Sequence, residues 1–150
     1  DLHLLSRRQR QMCIRDSYVY EDYADWSTET AAKMFHQFLQ TGQSVDAVIC
    51  NNDSMAVGVA QEAQKAKIDT NTLPILGVDA TTDGLDLISQ GAMACTIFQP
   101  AKGQGEAAVK AAEKLASGQS VASLDGAEHN GLFVWVPFEQ VTAENLSQYQ

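Results

Sequence analysis

Short apolar segments alternate with longer amphipathic segments along most of the 150-residue chain. The apolar segments predict β-strands, which lie at residues 18–20, 46–50, 74–78, 93–98 and 132–136. These runs are largely continuous rather than alternating with polar residues, which is typical of parallel strands covered by helices on both faces. Strands and helices that alternate in this way predict a doubly wound, mostly parallel α/β sheet.

The amphipathic segments predict helices at residues 27–40, 54–66, 83–90 and 100–117. Gly42 is well placed to end the first helix, and Asp53 to cap the second, with Asn52 as the alternative cap. The Ala-rich helix 100–117 is expected to pack closely on the sheet. A polar stretch covers residues 119–131, and Thr142 is expected to cap a last short helix.

Three successive predicted strands each lead into a polar side chain at the carboxyl end, namely Asn52, Asp79 and Gln99. Ligands of open α/β sheets bind outside these strand ends, where neighbouring strands lie about 5 Å apart. An ionised Asp offers only acceptors, whereas Asn and Gln offer acceptors and donors, so the set complements a molecule with several hydroxyl groups. It suits phosphate poorly, because Asp79 would repel the anion and no Gly-rich loop follows these strands.

Each of these side chains also has a structural interpretation. Asn52 or its neighbour Asp53 can cap a helix, and Asp79 can form an Asx-turn at the end of its strand. A lone Gln99 would carry no functional meaning. Only their coincidence at three successive strand ends favours a binding site.

The formal net charge is −9, which argues against a nucleic-acid partner, and no apolar run is long enough to predict membrane insertion. All arginines lie within residues 7–15, in the segment "RRQRQMCIRDS". That segment resembles a translated sequencing adapter, so residues 1–17 are predicted to be non-native and residues 18–150 to form the domain. A signal peptide is not predicted there, because no apolar region follows the arginines.

Catalytic and cofactor motifs are not recognisable. His36 falls on a predicted helix and His129 in the polar stretch, and neither is spaced with Ser, Cys or acids as a triad or metal site requires. No phosphate loop or dinucleotide-binding glycine pattern is present in the sequence. We therefore expect no cofactor, no metal and no enzymatic activity, with surface or packing roles for both histidines.

Three segments resemble the C-terminal lobe of type 1 periplasmic sugar-binding proteins, the ribose- and galactose-binding relatives that supply ABC importers. They are "DAVICNNDSMAVGVAQEA", "PILGVDATTDGLDLISQGAMACTIFQ" and "VWVPFEQVTAENLSQY", in this order. The resemblance covers about residues 18–150. It implies the solute-binding component of a carbohydrate ABC importer, periplasmic or lipid-anchored, that binds a neutral monosaccharide or polyol and docks on ABC permease subunits.

By resemblance, Asn52, Asp79 and Gln99 would hydrogen-bond the sugar, in agreement with their place at the strand ends. Trp26 matches the aromatic residue that such proteins stack on the sugar ring, and an indole covers the C–H face of a pyranose well. Its structural alternative is a hydrophobic staple over the start of helix 27–40. Residues 132–137 would belong to the hinge, with Trp135 packing there.

The strand order of the family, 2-1-3-4-5, would place strand 74–78 between Cys50 and Cys95. Strands that are not neighbours are too far apart for a disulfide, so both thiols are expected to be free and buried. The first strand of the family's lobe, which lies between Tyr18–Tyr20 and strand 46–50 in that order, has no counterpart in this sequence. The N-terminal lobe of the family also has no counterpart in this sequence.

Two other protein classes fit part of the pattern. The effector-binding core of a LacI-type transcriptional repressor would have the same fold, although the tail "WVPFEQVTAENL" resembles the transport proteins more closely. A doubly wound hydrolase or transferase would turn over its sugar rather than only bind it.

Overall fold

A computed structural model describes residues 17–149, which form helices around short strands. The helices are α1 (Thr28–Gln40), α2 (Asp53–Lys65), α3 (Thr82–Ser89) and α4 (Ala101–Ala116). The strands are β1 (Val48–Ile49), β2 (Ile75–Leu76), β3 (Thr96–Phe98), β4 (Ala127–Glu128), β5 (Phe133–Val134) and β6 (Glu139–Val141). The four long helices begin and end within a few residues of their predicted bounds, whereas the strands are shorter than predicted.

The central strands are parallel and follow one another across the sheet. In the pairing of β1 with β2, Val48 lies opposite Ile75. From β2 the sheet continues through a parallel bridge between Leu76 and Cys95, just before β3. Strand β6 then pairs with β3 in antiparallel direction, with Thr96 opposite Val141. The predicted α/β class is thus confirmed, and the antiparallel strand β6 was not predicted.

Tyr18–Tyr20 is not a strand, so that prediction is wrong. Tyr18 and its two successors lie in irregular backbone and are about half exposed. A strand needs a neighbour to accept and donate its backbone hydrogen bonds, and no described strand pairs with this segment. The Tyr20 ring packs instead on Phe38 of α1, with 5.6 Å between the ring centroids.

The polar stretch before the last predicted strand contains a strand of its own. Strands β4 and β5 pair in antiparallel direction and form a hairpin, closed by a turn with Asn130 and Gly131 at positive φ. The predicted strand 132–136 is therefore reduced to β5, which pairs with its sequence neighbour rather than with β3. Polar composition concealed β4, because a two-residue hairpin strand shows almost no hydrophobic pattern.

The short helix predicted after Thr142 is a 3₁₀ helix of three residues, Leu146–Gln148, and Thr142 does not cap it. The Thr142 hydroxyl accepts a hydrogen bond from the Glu144 amide, and the Asn145 side chain accepts one from the Thr142 amide, so a turn forms. The 3₁₀ turn Leu146–Gln148 follows it. These local side-chain contacts compete with the helix that a threonine cap would otherwise start.

The core is formed by α1, α2 and α3 together with the strands β1, β2, β3 and β6. Ala56, Ala63, Ile75 and Val141 are completely buried within it. Helix α1 crosses α2 at Gly58, where an added Cβ would collide with the Thr28 carbonyl oxygen. The absence of a side chain at Gly58 thus sets how closely the two helices approach.

Helix α4 does not pack on the sheet as its Ala content predicted. No residue of Ala101–Ala116 is buried, and Val109 and Leu115 are 58% and 63% exposed. One face of α4 instead borders an open groove with Trp135 and Val136, which follow β5. The small side chains of this helix are therefore not a consequence of burial against β1–β3.

Both thiols behave as expected. Cys50 and Cys95 are free and buried, and β2 separates them, since Cys50 bonds to Leu76 and Cys95 to Gly77 through their backbones. Burial, with a smaller contribution from Asp53, raises the pKa of Cys50 to about 11. The thiol is consequently uncharged at neutral pH. Cys13 lies outside the described residues.

We predict that Gly58→Ala lowers the free energy of unfolding by about 1–3 kcal/mol, because the new methyl group separates α1 from α2. Gly105→Ala is the matched control, since Gly105 lies within α4 with nothing near its Cβ position. It should raise stability by about 0.5–1 kcal/mol through helix propensity. Urea unfolding measures both, and equal effects would contradict the proposed close approach.

Candidate functional site

The carboxyl ends of β1, β2 and β3 lie side by side. Hydrogen bonds join them just beyond the strands: the Asp53 amide donates to Val78 and the Asp79 amide donates to Ile97, each at 2.8 Å. Since β1, β2 and β3 run in parallel, the residues that follow each of them leave the sheet at the same edge. Asn52, Asp79 and Gln99 are such residues.

Asp79 and Gln99 are in direct contact. The Gln99 Nε2 donates a hydrogen bond of 3.1 Å to Asp79 Oδ1. Burial, and to a smaller degree the nearby Asp53, raises the pKa of the Asp79 carboxyl above its usual range. Asp79 is nevertheless exposed, and Gln99 is half-buried. The pair therefore presents acceptor and donor atoms to solvent at the strand ends, as a binding site requires.

Asn52 has a structural function that the sequence left open. Its Oδ1 accepts a 2.9 Å hydrogen bond from the Met55 amide, which makes Asn52 the N-cap of α2. The prediction that Asp53 is this cap is wrong, and the alternative cap is correct. The side chain of Asn52 is nearly buried, so its remaining contribution to a ligand would be the N–H donors of its amide.

Asp53 is the residue whose importance the sequence did not reveal. Its side chain is completely buried and accepts three hydrogen bonds. The Thr96 hydroxyl donates to Oδ1 at 2.6 Å, and the Thr81 amide and hydroxyl donate to Oδ2 at 2.7 and 3.1 Å. One carboxylate thus connects the first turn of α2, the start of α3 and the strand β3.

Two glycines leave the space that this carboxylate needs. A Cβ added at Gly77 would overlap Asp53 Oδ1, and one added at Gly84 would overlap Oδ2. An acid after a strand, followed by glycines in the next strand and helix, is the signal that could have indicated a buried carboxylate. In the sequence alone, either glycine is equally compatible with a turn or with close packing of a helix on the sheet.

The turn after β2 has an unusual backbone conformation. Asp79 has φ 108° and Ala80 has φ 53°, and both values lie in the region that residues other than glycine rarely adopt. The Asp79 carboxylate contacts Gln99 rather than its own backbone two residues on, so the Asx-turn alternative is not what holds it. This conformation sets the direction in which Asp79 leaves the sheet.

Trp26 lies immediately before α1. Asp25 and Trp26 have φ 49° and 56°, and the Ser27 hydroxyl then caps the helix by accepting from the Thr30 amide. The indole is 70% exposed, so little of it is covered in the manner of a staple. Trp26 is thus an accessible aromatic side chain, and its participation in the site at the strand ends remains a prediction.

The remaining candidates take surface positions. His36 lies 3.4 Å from Glu62, and the His129 ring packs edge-on against Phe133. Trp135 stacks on Phe133 and donates to Glu128. Within residues 17–149, no group of three or more His, Cys, Asp or Glu is arranged to hold a metal ion. In the same range no helix is both long and apolar enough to cross a membrane.

The carboxyl edge of the strands, where these polar side chains lie, is the place at which open α/β sheets bind ligands. The chain belongs to the periplasmic binding protein domain family, whose model matches residues 13–120. A Rhizobium meliloti protein with the provisional name rhizopine-binding protein is 36% identical over 132 residues, or 88% of this chain and 40% of that protein. The D-galactose/methyl-galactoside binding periplasmic protein of Haemophilus influenzae is 33% identical over 138 residues, covering 91% of this chain and 41% of the relative.

Solved structures give the same result. An ABC transporter solute-binding protein of Bacillus halodurans, with myo-inositol bound, superimposes with a TM-score of 0.73 and is 27% identical. The superposition covers 96% of this chain and 47% of that one. The chain therefore spans less than half the length of these relatives.

We predict that Asn52→Ala destabilises the fold by about 1 kcal/mol, because the first turn of α2 loses its cap. Asn52→Ser is the matched control, since a serine oxygen can accept the Met55 amide and should keep most of the stability. Thermal unfolding compares the two variants with the unchanged chain. Equal stability of all three would show that the cap contributes nothing.

Proposed function

We propose that this chain is part of the solute-binding component of a carbohydrate ABC importer and binds a neutral monosaccharide or polyol. The observation that carries the proposal is the contact of Asp79 with Gln99 at the shared edge of the parallel strands. Asp79 supplies hydrogen-bond acceptors and Gln99 supplies both donors and acceptors, which is the combination that vicinal hydroxyl groups require. We propose a binding role without catalysis for this site.

Asn52 and Trp26 complete the proposed site. The amide N–H groups of Asn52 would donate to a hydroxyl oxygen while its Oδ1 keeps α2 capped. The exposed indole of Trp26 would cover the C–H face of the ring. Polar contacts select the hydroxyl pattern, and the aromatic contact contributes apolar area without selecting it strongly.

The relatives support this function over the effector core of a transcriptional repressor. The Haemophilus influenzae relative is a D-galactose/methyl-galactoside binding protein, and the Bacillus halodurans solute-binding protein holds myo-inositol. Myo-inositol is a ring in which every carbon carries a hydroxyl group, and a site made of one acid and two amides suits such a ligand. A cyclic polyol is therefore a good first probe, together with the common hexoses.

The described residues supply only one side of a cleft. Asp79 is exposed, and the chain spans about 40% of the relatives that it matches. In the intact protein a second lobe would close over the sugar by rotation about a hinge that includes residues 132–137. The closed form would dock on ABC permease subunits, outside the cytoplasm, either in a periplasm or held by a lipid anchor.

Asp79→Ala should weaken sugar binding by the intact two-lobe protein by about 1.5–3 kcal/mol, or roughly 10- to 150-fold in Kd. A screen of monosaccharides and polyols by thermal shift would first supply the ligand. Calorimetry then measures the Kd of the variant. Asp79→Asn, which retains one acceptor and tolerates positive φ, should lose less. Unchanged affinity of the alanine variant would remove Asp79 from the site.

Sugar affinity should fall in mild acid. Because the pKa of Asp79 is raised, its carboxylate takes up a proton at a higher pH than an ordinary Asp and then loses acceptor capacity. The Kd of the intact protein should therefore increase as the pH is lowered from about 7 to about 4. Asp79→Asn does not titrate at this position and should show a flatter profile over the same range. Identical profiles for both proteins would contradict the proposed role of the ionised carboxylate.

A further inference from the structure

The buried carboxylate of Asp53 is connected to the exposed carboxylate of Asp79 through the backbone between them. Asp53 has no accessible surface, so it cannot contact a sugar itself. Its hydrogen-bond partners nevertheless include the two residues that fix the turn after β2. What Asp53 does for the site must therefore pass through this turn.

The first connection runs through Thr96. The Ala80 amide donates to Thr96 Oγ1 at 3.2 Å, and the same hydroxyl donates its proton to Asp53 Oδ1 at 2.6 Å. A hydroxyl has only one proton, so its donation to the carboxylate leaves its oxygen available to the Ala80 amide. The carboxylate thus fixes the orientation of a hydroxyl that holds Ala80.

The second connection is direct. The Thr81 amide donates to Asp53 Oδ2 at 2.7 Å, and the Thr81 hydroxyl donates to the same oxygen while accepting from Gly84. The amide groups on both sides of the Ala80 Cα are therefore tied to one buried group. Both oxygens of Asp53 act only as acceptors in this arrangement.

The residues that are held in this way have a backbone that costs free energy. Asp79 and Ala80 both have positive φ, and such residues persist only where their surroundings determine the conformation. Removal of the ties at Ala80 and Thr81 leaves the turn with the bonds of Asp79 itself, whose amide donates to Ile97 and whose carboxylate accepts from Gln99, and neither bond fixes the backbone of Ala80. Relaxation would rotate Asp79 away from its present direction beside Gln99.

We propose that Asp53 is a positioning residue for ligand recognition, which holds the Asp79–Ala80 turn in its left-handed conformation through Thr96 and Thr81. This inference rests on the proposed function of Asp79 as a sugar ligand. It assigns the acid of the "NND" segment a function in affinity rather than in capping. In this proposal the site uses two acids: Asp79 contacts the sugar, and Asp53 positions Asp79.

The test uses the intact two-lobe protein and the sugar or polyol identified by thermal shift. Thr96→Val removes the hydroxyl and keeps the shape, and it should weaken binding about tenfold at a temperature well below unfolding. Thr96→Ser keeps the hydroxyl and should bind nearly as well as the unchanged protein. Asp53→Asn should weaken binding at least as much as Thr96→Val does. If Asp53→Asn does not fold, Thr96→Val alone tests the inference.

A rescue separates positioning from general stability. Glycine adopts positive φ without strain. Addition of Ala80→Gly to the Thr96→Val variant should therefore raise its affinity by at least about threefold. The same Ala80→Gly change in the unchanged protein should alter affinity little. If Thr96→Val lowers only the unfolding temperature while the Kd stays constant, Asp53 is structural and the inference is wrong.

A ligand-free measurement makes the outcome independent of the sugar. A crystal structure of the sugar-free Thr96→Val variant should show Asp79 or Ala80 outside the left-handed region. Retention of both φ values would overturn the inference whatever the affinities are. Normal affinity of this variant, with weak binding by Asp79→Ala, would also overturn it but leave the proposed function intact. If Asp79→Ala binds normally, the proposed function fails and the positioning role fails with it.

Discussion

A single buried carboxylate connects parts of this structure that lie far apart in the sequence. Asp53 lies in the first turn of α2 and accepts hydrogen bonds from Thr81 and Thr96, which belong to different elements. A carboxylate removed from water is costly unless it is fully hydrogen-bonded, so these three donors are a requirement of its burial. The same donors place the ends of the strands relative to one another. Gly77 and Gly84 make the arrangement possible by leaving the carboxylate enough space.

The proposed site at the strand ends combines rigid support with exposed polar groups. Asp79 lies in a turn of positive φ, and hydrogen bonds to buried side chains stabilise this turn. The Asp79 carboxylate accepts a hydrogen bond from Gln99 at the surface. Preorganised groups of this kind lose little conformational freedom on binding, which favours affinity for a small ligand with few contacts. The two roles that the sequence treated as alternatives for Asn52, helix cap and ligand contact, are compatible because they use different atoms of the amide.

Helix α4 and the β4–β5 hairpin are less closely packed than the rest of the described structure. Helix α4 exposes Val109 and Leu115, and the β4–β5 hairpin exposes Phe133 beside Trp135. Exposed apolar residues are ordinary on protein surfaces, and α4 and the hairpin contribute no residue to the buried core.

Local patterns in the sequence determined the α/β class, the positions of α1 to α4 and the burial of both thiols, because helix periodicity and apolar strands are properties of adjacent residues. They also placed Asn52, Asp79 and Gln99 at successive strand ends, and parallel direction alone then puts those ends at one edge. Tertiary structure decided what depends on distant partners. Among residues 17–149 no strand pairs with Tyr18–Tyr20, β6 pairs with β3 across the fold, and no residue of α4 is buried. The burial of Asp53 was likewise decided by tertiary structure. Its donors Thr81 and Thr96 lie 28 and 43 residues further along the chain, and no local sequence pattern predicts hydrogen bonds over such separations.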